Sequence, residues 1–297
     1  MSEEIRPIRV NTPVNENLEV YDFLVIDRSG SMLGARDATI NGVNTYLKKL
    51  KDDQAASGVK TFISIILFDH EILDLYDFAP IQEVGELTQA NFVPRGMTAL
   101  NDAVGTAIEK LKAKLTDKLT SDDVDVTVSV FTDGEENSST RYPGLRNNAL
   151  FGLIEELKNT YKWAVTFTGY GTIEQVRHAA SNIGIDVSNV QSYSAGHESA
   201  AFLNMSSARS VKSRSFTYSG LKSAVGYFTD PGDDGIDNIA IPTFHNTTSA
   251  PDHFQNTTIP TNTFIPSYGG FDVGSGSDSS GSSDSGGCDG GCSCGGD

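Results

Sequence analysis

The chain has 297 residues, 38% of them hydrophobic, and is long enough to bury a sizeable core. Its 22 Lys and Arg residues stand against 39 Asp and Glu residues, and the formal charge of −17 disfavours binding to nucleic acids and anionic lipid surfaces. No apolar run reaches the roughly 18 residues that predict a membrane span.

The two ends of the chain suggest a location. The N-terminal sequence MSEEIRPIRV is acidic and lacks the apolar segment of a signal peptide. All three cysteines, Cys288, Cys292 and Cys294, lie near the C-terminus, so no disulfide is expected in the core. Both observations predict a cytoplasmic protein.

Short apolar runs alternate with amphipathic segments from residue 20 to about 213. This pattern is typical of a mostly parallel sheet with helices on both faces. The predicted strands are 20–26, 61–68, 72–79, 124–131, 163–168 and 190–193. About six helices are expected, indicated by apolar residues that return every three or four positions, as at Ile40, Val43, Leu47 and Leu50.

Two of the predicted strands have unusual features. The second and third are separated only by the sequence DHE, which is too short for a crossover, so they should form an antiparallel hairpin at the sheet edge. The strand 124–131 alternates polar and apolar residues, whereas a central parallel strand is usually apolar on both faces. Thr127 and Ser129 are small enough to be buried there, and the segment is still predicted to be a strand.

The composition divides the chain into four regions. Residues 1–17 form an N-terminal extension, residues 18–213 the folded domain, and residues 214–273 an extended arm rich in Pro, Asn, Thr and Asp. Residues 274–297 are a Gly, Ser, Asp and Cys tail that is expected to be disordered, because it cannot bury enough surface to offset its ordering entropy. Its cysteines are expected to be free thiols, with metal capture or intermolecular pairing as the alternatives.

Oxygen-bearing side chains lie in three segments at the ends of predicted elements. The sequence DRSGS follows the first strand, GMTAL precedes a helix, and TDG follows the fourth strand. They supply Asp27, Ser29, Ser31, Thr98 and Asp133. These loops should meet at the carboxyl edge of the sheet, where open α/β sheets bind ligands. An all-oxygen set without His or Cys favours a hard cation, Mg²⁺ or Mn²⁺, over zinc.

The three motifs, in this order, resemble the metal-ion-dependent adhesion site (MIDAS) of von Willebrand factor type A (vWA) domains over about residues 18–213. The resemblance implies a Rossmann-like, doubly wound, six-stranded sheet in the order 3-2-1-4-5-6, with strand 3 antiparallel. It also implies that Ser29 and Ser31 are direct ligands and that Asp27 acts mainly through water. Thr98 and Asp133 would exchange direct and water-mediated roles, and one coordination position would stay open for a partner carboxylate.

Other charged residues on these loops are interpreted as ordinary solvated charges. They are Arg28, Arg95, Arg141, Glu135 and Glu136. No second ion site is expected, because Met32 and Leu33 follow the serine pair where some vWA domains have acidic residues. His70 is interpreted as a surface or packing residue.

These features predict a non-enzymatic, Mg²⁺-dependent module that binds an Asp or Glu side chain of a partner protein. A metal-assisted hydrolase or phosphatase is one alternative, because a bound dication can activate water. Against it, the sequence shows no Ser/His/Asp arrangement, no phosphate-binding glycine loop and no obvious base near the metal loops. An assembly component with a structural metal site is the other alternative. The resemblance is to intracellular prokaryotic and phage-type members, including stress-response systems, and the oligomeric state stays open.

Overall fold

The computed structural model describes residues 17–219 and 222–228. The strands are β1 (Glu19–Asp27), β2 (Lys60–Phe68), β3 (Ile72–Pro80), β4 (Val124–Thr132), β5 (Ala164–Tyr170) and β6 (Val190–Tyr193). The α-helices of this part are α1 (Arg36–Ser57), α2 (Leu100–Lys114), α3 (Asn148–Glu156), α4 (Ile173–Asn182) and α5 (Glu198–Ser219). The other helical segments are short turns such as Gly30–Leu33, so five described helices stand against about six predicted. None of the described helices has the length and apolar character needed to cross a membrane.

All six strands form one sheet in the order β3-β2-β1-β4-β5-β6. Every neighbouring pair is parallel except β2 and β3, which form an antiparallel hairpin. The predicted order and the edge hairpin are therefore confirmed. Since the chain runs outward from β1 through β2 on one side and through β4 on the other, the topological switch point lies between β1 and β4.

The core lies on both faces of the sheet. Along β1, Phe23 and Val25 belong to the core cluster that includes residues of α2, α3 and α4, whereas Leu24 and Ile26 belong to the cluster that includes residues of α1 and α5. All four side chains are almost completely buried. A strand covered on both faces needs apolar residues at successive positions, which explains the continuous apolar run of β1.

The alternating strand β4 is also buried on both faces, as predicted. Thr127 and Ser129 are buried, and Thr166 of β5 donates a hydrogen bond from Oγ1 to Ser129 Oγ at 3.2 Å. Burying a hydroxyl that has a hydrogen-bond partner costs little free energy, so these small polar residues fit a strand that is covered on both faces.

Helix α5 is held on the sheet by a buried ion network. Arg209 donates from Nε to Asp22 Oδ1 of β1 at 2.6 Å and from Nη1 to Asp125 Oδ2 of β4 at 2.8 Å. The Arg209 side chain is only 1% exposed, so these two carboxylates, and not water, compensate its positive charge.

The same helix lies very close to α1. A Cβ added to Gly42 of α1 would lie 2.5 Å from Cδ2 of Phe202 of α5. Phe202 in turn stacks on Phe131 of β4 with ring centroids 4.3 Å apart. The glycine therefore lets α5 reach the sheet beside α1.

Helix α5 continues past residue 213 to Ser219, and residues 222–228 also pack on the domain. Tyr227 is buried, and its backbone N–H donates to Asn189 Oδ1 at 3.0 Å. Residues 1–16, the arm beyond residue 228 and the tail lie outside the described residues. The predicted boundaries of the four regions stay predictions.

Candidate metal centre

The predicted site residues lie at the carboxyl edge of the sheet, beside the switch point. Asp27 is the last residue of β1, and Ser29 and Ser31 follow it in the turn that enters Gly30–Leu33. Thr98 lies just before α2, and Asp133 directly follows β4. Because β1 and β4 are paired in parallel, their two loops emerge side by side.

Hydrogen bonds link four of these residues directly. Ser31 Oγ donates to Asp133 Oδ1 at 2.7 Å, and the hydroxyl oxygens of Ser29 and Ser31 are 3.0 Å apart. The backbone N–H of Ser29 donates to Asp27 Oδ1 at 2.6 Å. The first and third loops therefore form one polar cluster.

Thr98 joins this cluster from the second loop, and its position relative to the other predicted ligands can be measured from Gly134. A Cβ built on Gly134 would lie 3.1 Å from Thr98 Oγ1 and 3.6 Å from both Asp27 Oδ2 and Ser31 Oγ. Oxygen atoms from all three loops thus surround one small space. The structure brings together all five predicted site residues.

Backbone hydrogen bonds fasten the first loop to the second. Gly30 N donates to Gly96 O at 3.1 Å, and Arg95 N donates to Arg28 O at 2.9 Å. Gly96 has a φ of +67°, a conformation that glycine adopts without strain. The serine pair is therefore held against the segment that carries Thr98.

The second loop is fastened to the third by Asn137. Its Oδ1 accepts from Thr98 N at 2.8 Å, and its N–H donates to Thr98 O at 3.1 Å. Glu136 accepts from Asn101 N at 2.8 Å in the first turn of α2. No sequence motif points to Asn137, and the interpretation of Glu136 as a solvated charge is wrong, because Glu136 bonds the start of the helix.

Asp27 is fully buried, and burial raises its pKa from 3.8 to about 6. Thr132 opposes this shift, because its Oγ1 donates to Asp27 Oδ2 at 2.6 Å. Ser29 opposes it as well, through the backbone bond described above. The only sequence signal for Thr132 is its position before Asp133 in TDG.

Asp133 is partly buried, and burial raises its pKa, with a further contribution from the charge of Glu198. Within the described part of the chain, neither Asp27 nor Asp133 forms an ion pair with Lys, Arg or His. Two neighbouring carboxylates without a cation, facing three hydroxyls, are a donor set that suits a hard dication. The residues present therefore fit the metal that the motifs imply.

The arginines on the loops have structural roles, so their interpretation as solvated charges is wrong for Arg28. Arg28 is buried, and its Nε lies 3.2 Å from Asp69 Oδ2. Arg95 donates from Nε to the same oxygen at 2.9 Å, and Arg141 pairs with Glu109. A buried carboxylate requires such partners, which the positions of the arginines in the sequence do not reveal.

A second group of potential ligands lies in the β2–β3 turn, where Asp69, His70 and Glu71 place ligand atoms within 4.8 Å of one another. The arginines compensate both carboxylates, because Arg95 pairs with Asp69 and Glu71 and Arg28 pairs with Asp69. Arginine side chains therefore neutralise the carboxylates of this group, whereas Asp27 and Asp133 have no such partner among the described residues.

His70 lies closer to the metal loops than the sequence suggested. A Cβ on Gly96 would lie 2.1 Å from His70 Nδ1, and this nitrogen is 3.3 Å from Asp69 Oδ1. The ring thus packs against the loop that carries Thr98, and 42% of the side chain is exposed. The expectation that no base lies near the metal loops is corrected by this contact.

No protein-family model and no curated protein matches the sequence. Among solved structures, similar ones include the vWF domain of the type V pili tip protein Mfa5 from Porphyromonas gingivalis, with 15% identity, 65% of this chain and 96% of that chain covered, and a TM-score of 0.46. A von Willebrand factor type A protein from Catenulispora acidiphila has 14% identity, coverages of 66% and 43%, and a TM-score of 0.44. Proximal thread matrix protein 1 from the mussel byssus, with a zinc occupied MIDAS motif, has 15% identity, coverages of 66% and 47%, and a TM-score of 0.41. This chain spans less than half of the latter two.

The strand order, the single antiparallel edge strand and the position of the three loop motifs at the switch point are all those expected of the vWA fold. The described part of the chain has the fold of a von Willebrand factor type A domain.

Proposed function

We propose that this chain is a protein-interaction module whose binding depends on a divalent cation. One observation carries the proposal: the carboxylates of Asp27 and Asp133 meet three hydroxyls at the switch point and lack a cationic partner among the described side chains. Leaving two neighbouring carboxylates ionised in a buried place is costly, and a dication removes this cost.

We further propose that the cation is Mg²⁺ or Mn²⁺. The donors are hydroxyl and carboxylate oxygens, which suit these ions better than zinc. Ser29, Ser31 and Thr98 would hold it through their hydroxyls, and Asp27 and Asp133 through their carboxylates, directly or through water. The bound ion would offer a free coordination position to a carboxylate of the partner.

The surface around the site supports a partner that offers Asp or Glu beside apolar groups. Leu33 is 66% exposed and Met97 is 57% exposed, and both lie next to proposed ligands. The segments 28–36 and 92–99 contain three arginines and no acidic residue, in a chain with a formal charge of −17. Exposed apolar side chains on these two loops favour a partner whose Asp or Glu is flanked by apolar groups, whereas Glu135 and Glu136 make the third loop acidic.

The test is Mg²⁺ binding by isothermal titration calorimetry with wild type, Asp133→Asn and Glu135→Gln. Asp133→Asn should lower the affinity about tenfold or more, because it removes a ligand charge. Glu135→Gln removes an exposed charge from the same loop and should change it by less than about threefold. Wild-type protein that binds no Mg²⁺ or Mn²⁺ would disprove the proposal.

The interaction itself is tested by affinity capture in Mg²⁺ and in chelator. Partners should be retained only in Mg²⁺ and lost from Asp133→Asn, while the circular dichroism spectrum stays that of the wild type. Equal retention in both buffers would favour a metal site with a purely structural role.

One contact favours a second candidate, a metal-assisted hydrolase. His70 lies beside the metal loops and is paired with a buried carboxylate, an arrangement that can serve proton transfer. Phosphatase and nuclease screens in Mg²⁺ and Mn²⁺ separate the candidates, because turnover that disappears in His70→Ala would identify an enzyme. The cytoplasmic location and a role in stress responses stay predictions from the sequence.

A further inference from the structure

We propose that cation binding requires a glycine at position 134, because the missing side chain keeps open the space between the proposed ligands. The inference rests on the function proposed above. The Cβ position of residue 134 lies 3.1 Å from Thr98 Oγ1, 3.6 Å from Asp27 Oδ2 and 3.6 Å from Ser31 Oγ. A side chain here would occupy the space that these oxygens share.

The backbone does not require glycine at this position. Several glycines of the chain, including Gly96 and Gly144, have positive φ angles, but Gly134 is not among them. Alanine can therefore adopt the same backbone conformation without strain. Space, not conformation, is the property that the glycine supplies.

The direction of an added side chain is fixed by the neighbouring turn. Gly134 N donates to Thr132 Oγ1 at 3.1 Å, and Gly134 O lies 3.1 Å from the same hydroxyl. Thr132 also donates to the fully buried Asp27. The peptide groups on both sides of Gly134 are thus anchored to the end of β4, and a new Cβ cannot turn away from the three oxygens.

The experiment compares Mg²⁺ binding by the full chain in wild type, Gly134→Ala and Gly34→Ala, using calorimetry. Gly34→Ala is the matched control, because its Cβ would meet nothing within 4 Å and its φ is −72°. We expect Gly134→Ala to weaken Mg²⁺ binding at least tenfold, although every proposed ligand is retained. Gly34→Ala should bind like the wild type.

Melting in chelator shows whether the substitution acts on the fold. Gly134→Ala should melt within about 3 °C of the wild type, because alanine suits its backbone. Adding Thr98→Ser should restore part of the Mg²⁺ affinity, since serine keeps the hydroxyl but moves more freely than the β-branched threonine.

The outcomes are distinct. Wild-type affinity in Gly134→Ala would overturn the inference and leave the proposed function intact. Loss of the fold in chelator would also overturn it, because the glycine would then serve the loop itself. A wild-type chain that binds no Mg²⁺ would overturn the proposed function, and the inference with it.

Discussion

Replacing Asp27 with asparagine should stabilise the metal-free protein while removing its response to Mg²⁺. Burial raises the pKa of Asp27 from 3.8 to about 6, so the ionised side chain destabilises the folded state at neutral pH. At about 1.4 kcal/mol for each pH unit, the cost is about 3 kcal/mol at pH 7. The penalty develops as pH rises from 3.8 to about 6 and is constant above that range.

The local hydrogen bonds can accept the asparagine amide. Its oxygen can accept from Ser29 N, as Asp27 Oδ1 does at 2.6 Å. Its NH₂ group can donate to Thr132 Oγ1, because that hydroxyl can direct its own hydrogen to Gly134 O, 3.1 Å away. The substitution therefore removes a charge while both the oxygen and the nitrogen of the new amide keep a hydrogen-bond partner.

Urea unfolding at pH 5 and pH 7 measures the effect. In chelator at pH 7, Asp27→Asn should be more stable than the wild type by up to about 3 kcal/mol, with a smaller difference at pH 5. Mg²⁺ at about 100 times its Kd should stabilise the wild type by about 2.7 kcal/mol and the variant far less. A variant that is less stable than the wild type in chelator, or equally stabilised by Mg²⁺, would refute this reasoning.

Two further predictions concern the attachment of α5. Arg209→Met leaves the buried carboxylate of Asp22 without its guanidinium and should cost about 3–5 kcal/mol in urea unfolding, whereas adding Asp22→Asn should recover most of this loss. A loss below about 1 kcal/mol would show that the ion pair does not hold the helix. Gly42→Ala should lower the free energy of unfolding by about 1–3 kcal/mol despite the better helix propensity of alanine, because its Cβ would overlap the Phe202 ring. Adding Phe202→Leu should relieve this overlap and restore part of the stability. A urea midpoint unchanged in Gly42→Ala would contradict the packing described.

Much of the architecture is encoded locally and could be predicted. The apolar runs of β1 and β2 are continuous because both faces are covered, and the short DHE segment admits only a hairpin. The motif residues are recognisable because short oxygen-bearing side chains stand directly at strand ends, where the fold brings loops together. Thus Asp27 and Asp133 could be placed at one edge before any distance was known.

The remaining features depend on contacts between distant parts of the chain. Asp22 interrupts an apolar strand, and its partner Arg209 lies 187 positions away, so no local pattern announces the pair. The burial of Arg28 cannot be predicted either, because the sequence does not show that Asp69 lies beside it. The role of Asn137 depends on how two loops meet, which is a tertiary property.

The buried guanidinium of α5 also limits how this domain can move. Sliding the helix along the sheet would pull the buried guanidinium of Arg209 away from the buried carboxylate of Asp22 and from Asp125, which is 18% exposed. We therefore expect α5 to keep its position on the sheet, so that the metal-bound and metal-free forms differ only in the loops around the site. Binding would then change the structure only near the metal site and would not shift the opposite edge of the domain.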